Sequence, residues 1–170
     1  MPIAITDEPV GTSGPMSLIY AAVDELERRY GRADDGPHLT FAEMGPPRGL
    51  FLVARLDGDL AGGVGLRPIG DPSVQSGEVK RLWVRPDLRQ RGVAKALMDA
   101  VVERARELHY RQLYLETGRA QPEAQALYPR IGWQPVDSFP PGAYTHPAAS
   151  RFTLPLTDRR LGSSSAPRGR

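Results

Sequence analysis

Apolar residues recur in two rhythms along this chain. Met16, Ile19, Val23, Leu26 and Tyr30 fall three and four apart, the spacing of one face of a helix. Ser13-Gly14-Pro15 predicts the start of that helix, with Ser13 as the capping residue, and Gly31 its stop. Val93, Leu97, Val101, Ala105 and Leu108 repeat the pattern and predict a second, longer helix. Pro122–Tyr128 predicts a third. Between them lie short apolar runs of strand length: Ile3–Asp7, Leu50–Leu56, Leu60–Leu66, Glu78–Val84, Arg111–Thr117, Gly132–Val136 and Arg151–Leu156. Asp57-Gly58-Asp59 joins the second and third runs as a hairpin turn.

The remaining stretches are broken by Gly, Pro and Ser. Residues 67–77 predict a loop, and 32–48 a weakly patterned segment with a short helix around Leu39 to Met44. Gly162–Arg170 carries no large apolar residue and predicts a disordered, dispensable tail. The order strand, helix, antiparallel strands, helix, strand, helix, strand, strand predicts an α/β (α+β) domain. Its mixed, mostly antiparallel sheet has helices on both faces. Residues 1–157 are expected to form that single domain, and 158–170 the tail.

Composition narrows the functional classes. The 170 residues are 40% apolar and 25% charged, which suits a globular protein. No apolar run reaches membrane-spanning length and no leader pattern opens the chain, so a cytoplasmic protein with no membrane partner is expected. There is no cysteine, hence no disulfide, thiolate metal site or cysteine nucleophile. A net charge of +2 gives no ground for a nucleic-acid partner. No spacing of His, Asp or Glu suits a metal, so none is expected.

The chemistry concentrates where the fourth strand enters the second helix. Arg89-Gln90-Arg91-Gly92-Val93-Ala94 stands at the helix start, where backbone N–H groups lack intrahelical partners and the helix dipole is positive. Small residues let a phosphate approach the backbone, so the segment predicts a pyrophosphate cradle. Neither a P-loop nor a Gly-x-Gly-x-x-Gly after the first strand is present, which argues against other nucleotide-phosphate folds.

This segment resembles the acetyl-coenzyme A loop of the GNAT superfamily of N-acetyltransferases, Arg/Gln-x-x-Gly-x-Gly/Ala. A second stretch, Leu113 to Trp133, is similar to that family's second motif, a strand and a helix ending in Ala-Leu-Tyr-x-x-x-Gly-aromatic. With the hairpin before them, the two cover roughly residues 50–137. The resemblance implies a sheet splayed between its fourth and fifth strands, with acetyl-CoA as co-substrate in the gap. Leu82, Trp83 and Val84 would run along the pantetheine arm. Arg89, Gln90, Arg91, Gly92, Val93 and Ala94 would hold the pyrophosphate, and Gln121 would meet the cofactor arm. Tyr128 would protonate the departing thiolate. Pro129 directly after it predicts that the helix ends or kinks there.

Glu78 has two readings: a strand-end carboxylate paired with Lys80 or Arg81, or the base that removes a proton from the amine. Glu116, on the neighbouring strand, is its rival. Tyr144 and His146 lie in a loop expected to border the acceptor, with residues 32–48 and 135–150 building the pocket. The activity implied is transfer of acetyl from acetyl-CoA to a primary amine, on a small molecule or peptide, by direct attack. A catalytically silent acyl-CoA sensor is the alternative, and a homodimer is compatible with both.

Overall fold

The computed structural model describes residues 2–31, 41–143 and 145–156. Seven strands form one sheet: β1 (Ile3–Asp7), β2 (Leu50–Leu56), β3 (Asp59–Ile69), β4 (Ser76–Val84), β5 (Gln112–Thr117), β6 (Gln134–Pro135) and β7 (Ser150–Pro155). Three helices accompany them: α1 (Ser13–Tyr30), α2 (Val93–Glu107) and α3 (Pro122–Arg130). The strand order is β1-β2-β3-β4-β5-β7-β6, and every pair is antiparallel except β4 and β5.

β2 is buried on both faces, which explains its apolar run from Leu50 to Ala54. Leu50, Leu52 and Ala54 point to a core shared with Leu97, Met98 and Val101 of α2 and with Tyr128 of α3. Phe51 and Val53 point the other way, onto Leu18 and Ile19 of α1 and Met44 of a single 3-10 turn (Phe41–Met44). Helices therefore cover both faces, α1 on one and α2 with α3 on the other. The hairpin turn is built by Asp57 (φ 54°) and Gly58 (φ 92°), both left-handed as a two-residue hairpin loop demands.

Three expectations are corrected. Residues 67–77 are strand at both ends: β3 continues to Ile69 and β4 begins at Ser76, leaving residues 70–75 as the connection, with a 3-10 turn over Pro72–Val74. Pairing of Arg67 with Glu78 and of Pro68 with Gly77 extends the ladder through residues that read as loop formers. Thr12, not Ser13, is the residue before the first turn of α1, and its hydroxyl bonds Pro9 O (2.7 Å) rather than capping the helix. Finally, α3 does not stop at Pro129 but runs to Arg130. Proline there removes one bond near the end of a nine-residue helix, where Gly132 N–H already closes onto Pro129 O (3.2 Å) in a tighter turn. The segment 32–40, Tyr144 and the tail lie outside the described residues.

The sheet opens in the middle. β4 and β5 pair only at Ser76↔Gln112, Gly77↔Leu113 and Glu78↔Tyr114. Beyond that seam β4 continues to Val84 paired only with β3, while Leu115, Glu116 and Thr117 pair only with β7. A bulge helps turn β4 away. Gly63 faces Trp83 and Gly65 faces Lys80, so β4 carries one residue more than β3 across this interval. Arg81 within it is left-handed (φ 59°).

Candidate active site

The opening forms a cleft of about 1090 Å³. One wall is the unpaired end of β4 and the mouth of α2; the other is the end of β5 and α3. Leu82, Trp83 and Val84 all line it, as do Arg89, Gln90, Gly92, Val93 and Ala94. Arg91 is exposed and is not among the lining residues.

The helix mouth is shaped by two left-handed residues, Gln90 (φ 61°) and Gly92 (φ 84°), on either side of Arg91. The first amide to reach back to Gly92 O is that of Ala96 (3.0 Å). The amides ahead of it have no intrahelical acceptor, as at any helix start. A Cβ at Gly92 would meet nothing within 4 Å, so the approach to these amides is open and the glycine answers to its backbone angle. Arg89 is fixed rather than free: its Nε donates to Val84 O (2.9 Å) and its Nη2 to Glu25 Oε2 (2.6 Å).

Glu25 belongs to α1 and was not foreseen as a site residue. It also accepts from Trp83 Nε1 (2.7 Å) and from Arg29 Nη2 (2.6 Å). Arg29 in turn reaches Glu123 (2.5 Å) and Ala120 O (2.9 Å) at the start of α3. Tyr30 accepts the Ala120 N–H (3.0 Å), and a Cβ at Gly118 would fall 2.0 Å from the Tyr30 hydroxyl. The end of α1 thus spans the cleft from the helix mouth to α3. Burial pushes the Glu25 carboxyl up, but hydrogen bonds from Arg89, Trp83 and Arg29 outweigh it and hold the group below its ordinary range. The available sequence signal was the spacing Leu18, Ala22, Glu25, Arg29, in which a buried stripe turns ionic at helical intervals.

On the opposite wall, Tyr128 is buried against Trp133 and Phe152 and lines the cleft. Burial raises its phenol far above the ordinary value, so the proton stays on oxygen. Gln121 stands just before α3 and accepts from the Thr117 hydroxyl (2.8 Å); it too lines the cleft.

The two candidate carboxylates differ sharply. Glu78 is 1% exposed and is not among the lining residues. Arg67 grips its Oε2 through Nε (2.9 Å) and Nη2 (2.8 Å), and Lys80 Nζ lies 3.4 Å from its Oε1. Arg67 is itself shared with Glu43. Glu116 lines the cleft. It accepts the backbone N–H of His146 (3.2 and 3.4 Å), with Arg151 Nε 3.8 Å away. Burial raises its carboxyl, a rise that the His146 amide and the charges of Lys80 and Arg151 only partly counter. His146, Ala148 and Ala149 border the cleft, whereas residues 41–48 do not. Among the described residues no group of three or more His, Asp or Glu could hold a metal ion, and no helix is long and apolar enough to cross a membrane.

Comparison with known proteins places this geometry. Residues 19–133 match the model of the acetyltransferase (GNAT) family. The chain is 29% identical over 111 residues to the uncharacterized N-acetyltransferase YjgM of Escherichia coli, covering 65% of this chain and 66% of YjgM, just under two thirds of that relative. It is 33% identical over 137 residues to an IAA acetyltransferase of Azospirillum brasilense, covering 79% of this chain and 87% of that one. A GNAT family acetyltransferase from Elizabethkingia anophelis, solved with acetyl-CoA bound, shares the fold at a TM-score of 0.63 and 20% identity, over 91% of this chain and 98% of that one. The splayed sheet, the helix mouth and these matches lead to one conclusion: the chain belongs to the acetyltransferase (GNAT) family.

Proposed function

We propose that this protein transfers the acetyl group of acetyl-CoA to a primary amine by direct attack, without an acetylated enzyme. The observation that carries the reading is the open end of β4. It presents an unpaired strand edge that leads directly into an anion-accepting helix mouth, with a protonated phenol across the gap. The pyrophosphate would rest on the amides at the start of α2, and the pantetheine arm would run along Leu82, Trp83 and Val84 toward Gln121. Arg89 would serve less as a phosphate ligand than as the pin between that loop and α1, since Val84 O and Glu25 hold it.

The neutral amine adds to the thioester carbonyl. A backbone N–H of β4 meets the developing oxyanion. The nitrogen sheds a proton, the C–S bond breaks as the C–N bond stays, and Tyr128 protonates the leaving thiolate, its phenol regaining from solvent the proton that the nitrogen released. Much of the rate comes from holding amine and thioester in line. Titration calorimetry with acetyl-CoA, paired with thiol-release assays over a set of primary amines, tests the proposal. Binding without thiol release for every amine would favour a silent acyl-CoA sensor; no binding would remove the cofactor reading altogether.

A further inference from the structure

We propose that Lys80 is a site of self-acetylation: with no external acceptor present, its ε-amine takes the acetyl group of acetyl-CoA held in the cleft. The inference rests on the acetyl-CoA reading above and needs no external amine.

The sequence leaves few candidates. Of its 22 Lys and Arg residues only two are lysines, Lys80 and Lys95. A guanidinium stays charged in proteins and offers no free lone pair for attack, whereas an ε-amine can shed its proton and react. Both lysines line the cleft, but at opposite ends. Lys95 lies in the first turn of α2, at the helix mouth, where its side chain is 63% exposed and tied to Asp99 (2.6 Å). Lys80 lies on β4, two residues beyond the seam pair Glu78↔Tyr114, and its side chain is only 18% exposed. Val84, Trp83 and Leu82 lead from the helix mouth back toward Arg81 and Lys80. An arm laid along this edge, with its pyrophosphate at the mouth, brings its acetyl end to the Lys80 side of the cleft.

Lys80 is held there without being locked. Its Nζ lies 3.4 Å from Glu78 Oε1, long for a charge-assisted bond, which runs about 2.7–2.9 Å. Glu78 does not depend on that contact, because Arg67 already holds its Oε2 through Nε (2.9 Å) and Nη2 (2.8 Å). The amine can therefore leave Glu78 without stranding a buried charge. In the step itself the Lys80 ammonium first gives one proton to water. The freed lone pair on Nζ forms the C–N bond, the thioester C–S bond breaks, and its electron pair leaves on sulfur. Nitrogen sheds a second proton to solvent as sulfur gains one, so the products are an amide, a thiol and one proton released overall. The amide is neutral, so the modified chain loses the Lys80–Glu78 pair at the seam.

The test incubates the full chain with acetyl-CoA and no added amine, and follows intact mass over time. The expected result is the gain of one acetyl group per chain, at a rate independent of protein concentration, with peptide fragmentation placing it on Lys80. That mapping uses the wild-type protein and does not depend on any variant folding. Lys80→Arg, which keeps a cation beside Glu78, should abolish the adduct, and Lys95→Arg should leave it unchanged. Gly92→Asp should slow its formation at the same acetyl-CoA concentration, since the donor is then poorly held. Acetyl found instead on the more exposed Lys95 or on the chain's terminal amine would overturn the proposal, as would a rate that Gly92→Asp does not alter, because both mark surface chemistry by dissolved thioester. A rate that rises with protein concentration would overturn it too, since transfer would then pass between chains. Titration calorimetry of the same sample separates the two readings. Acetyl-CoA binding with no gain in mass sinks self-acetylation alone, whereas no binding sinks it together with the acetyl-CoA reading.

Discussion

Tyr128 and Gly92 show how single residues set the chemistry. Burial forces the Tyr128 phenol to keep its proton at any working pH, which a donor to a leaving thiolate needs and a nucleophile would not. Removing only that hydroxyl in Tyr128→Phe should lower kcat while leaving acetyl-CoA affinity within about twofold, because the bond is made only in the transition state. A coenzyme A thiolate is already a fair leaving group, so the loss should sit at the low end of general-acid effects, roughly 10²-fold or less. Steady-state kinetics read both numbers, and unchanged kcat would leave protonation to water. Gly92 separates strain from charge. There is room for a side chain, but the backbone angle is one that L residues rarely adopt. Gly92→Ala should therefore cost about 1 kcal/mol of stability and little affinity. Gly92→Asp adds a carboxylate where pyrophosphate would sit, and calorimetry should show acetyl-CoA binding weakened at least tenfold beyond the alanine variant.

At the scale of elements, the decisive one is α1. Its first half packs Leu18 and Ile19 against the sheet, and its second half places Glu25, Arg29 and Tyr30 across the cleft. Glu25→Gln keeps the shape but removes the charge that holds Arg89. It should cost about 1.5–3 kcal/mol at neutral pH, the range for hydrogen bonds to charged groups, and raise the KM for acetyl-CoA by freeing the loop. The pH dependence has a definite sign. The folded carboxyl is held below its ordinary value of 4.5, so its contribution is complete above that pH and fades as pH falls through the lower, folded value. Urea unfolding of both proteins should therefore differ at pH 7 and converge in acid; a gap that persisted in acid would point to packing instead. How legible such elements were depends on where their information lies. The hairpin, α2 and the helix mouth are local: Asp57-Gly58 demands its turn, and an apolar face every three or four residues demands its helix. The ladder of β3 with β4 through Arg67 and Pro68 is not local. Pro68 and Gly77 read as loop formers, and only pairing across the connection makes them strand. Pro129 misled for the opposite reason, because a rule for helix interiors was applied one residue from a helix end. Glu25 escaped notice because its partners in the cleft, Trp83 and Arg89, lie 58 and 64 positions away, and its local pair with Arg29 reads as an ordinary helix-surface ion pair.

For the whole molecule, the sheet behaves as two blades joined at a narrow seam. Three residue pairs connect β4 to β5, while α1 spans the far side through Arg29 and Tyr30. The family resemblance placed the opening correctly, but the bulge at Arg81 and the clasp by α1 are tertiary facts with no motif of their own. A ligand lying in the gap touches both blades, so its binding energy should appear as stability of the whole fold. At 100 times its Kd, acetyl-CoA should stabilise the protein by about 2.7 kcal/mol. For a chain of this size that corresponds to a rise of roughly 5–10 °C in Tm. Hydrogen exchange should localise the effect, with added protection at the amides of Leu82, Trp83 and Val84 and at those opening α2. Gly92→Asp should lose most of the thermal shift at the same acetyl-CoA concentration. A full shift in that variant, or protection gained away from β4 and the helix mouth, would mean that the cofactor binds elsewhere than between the blades.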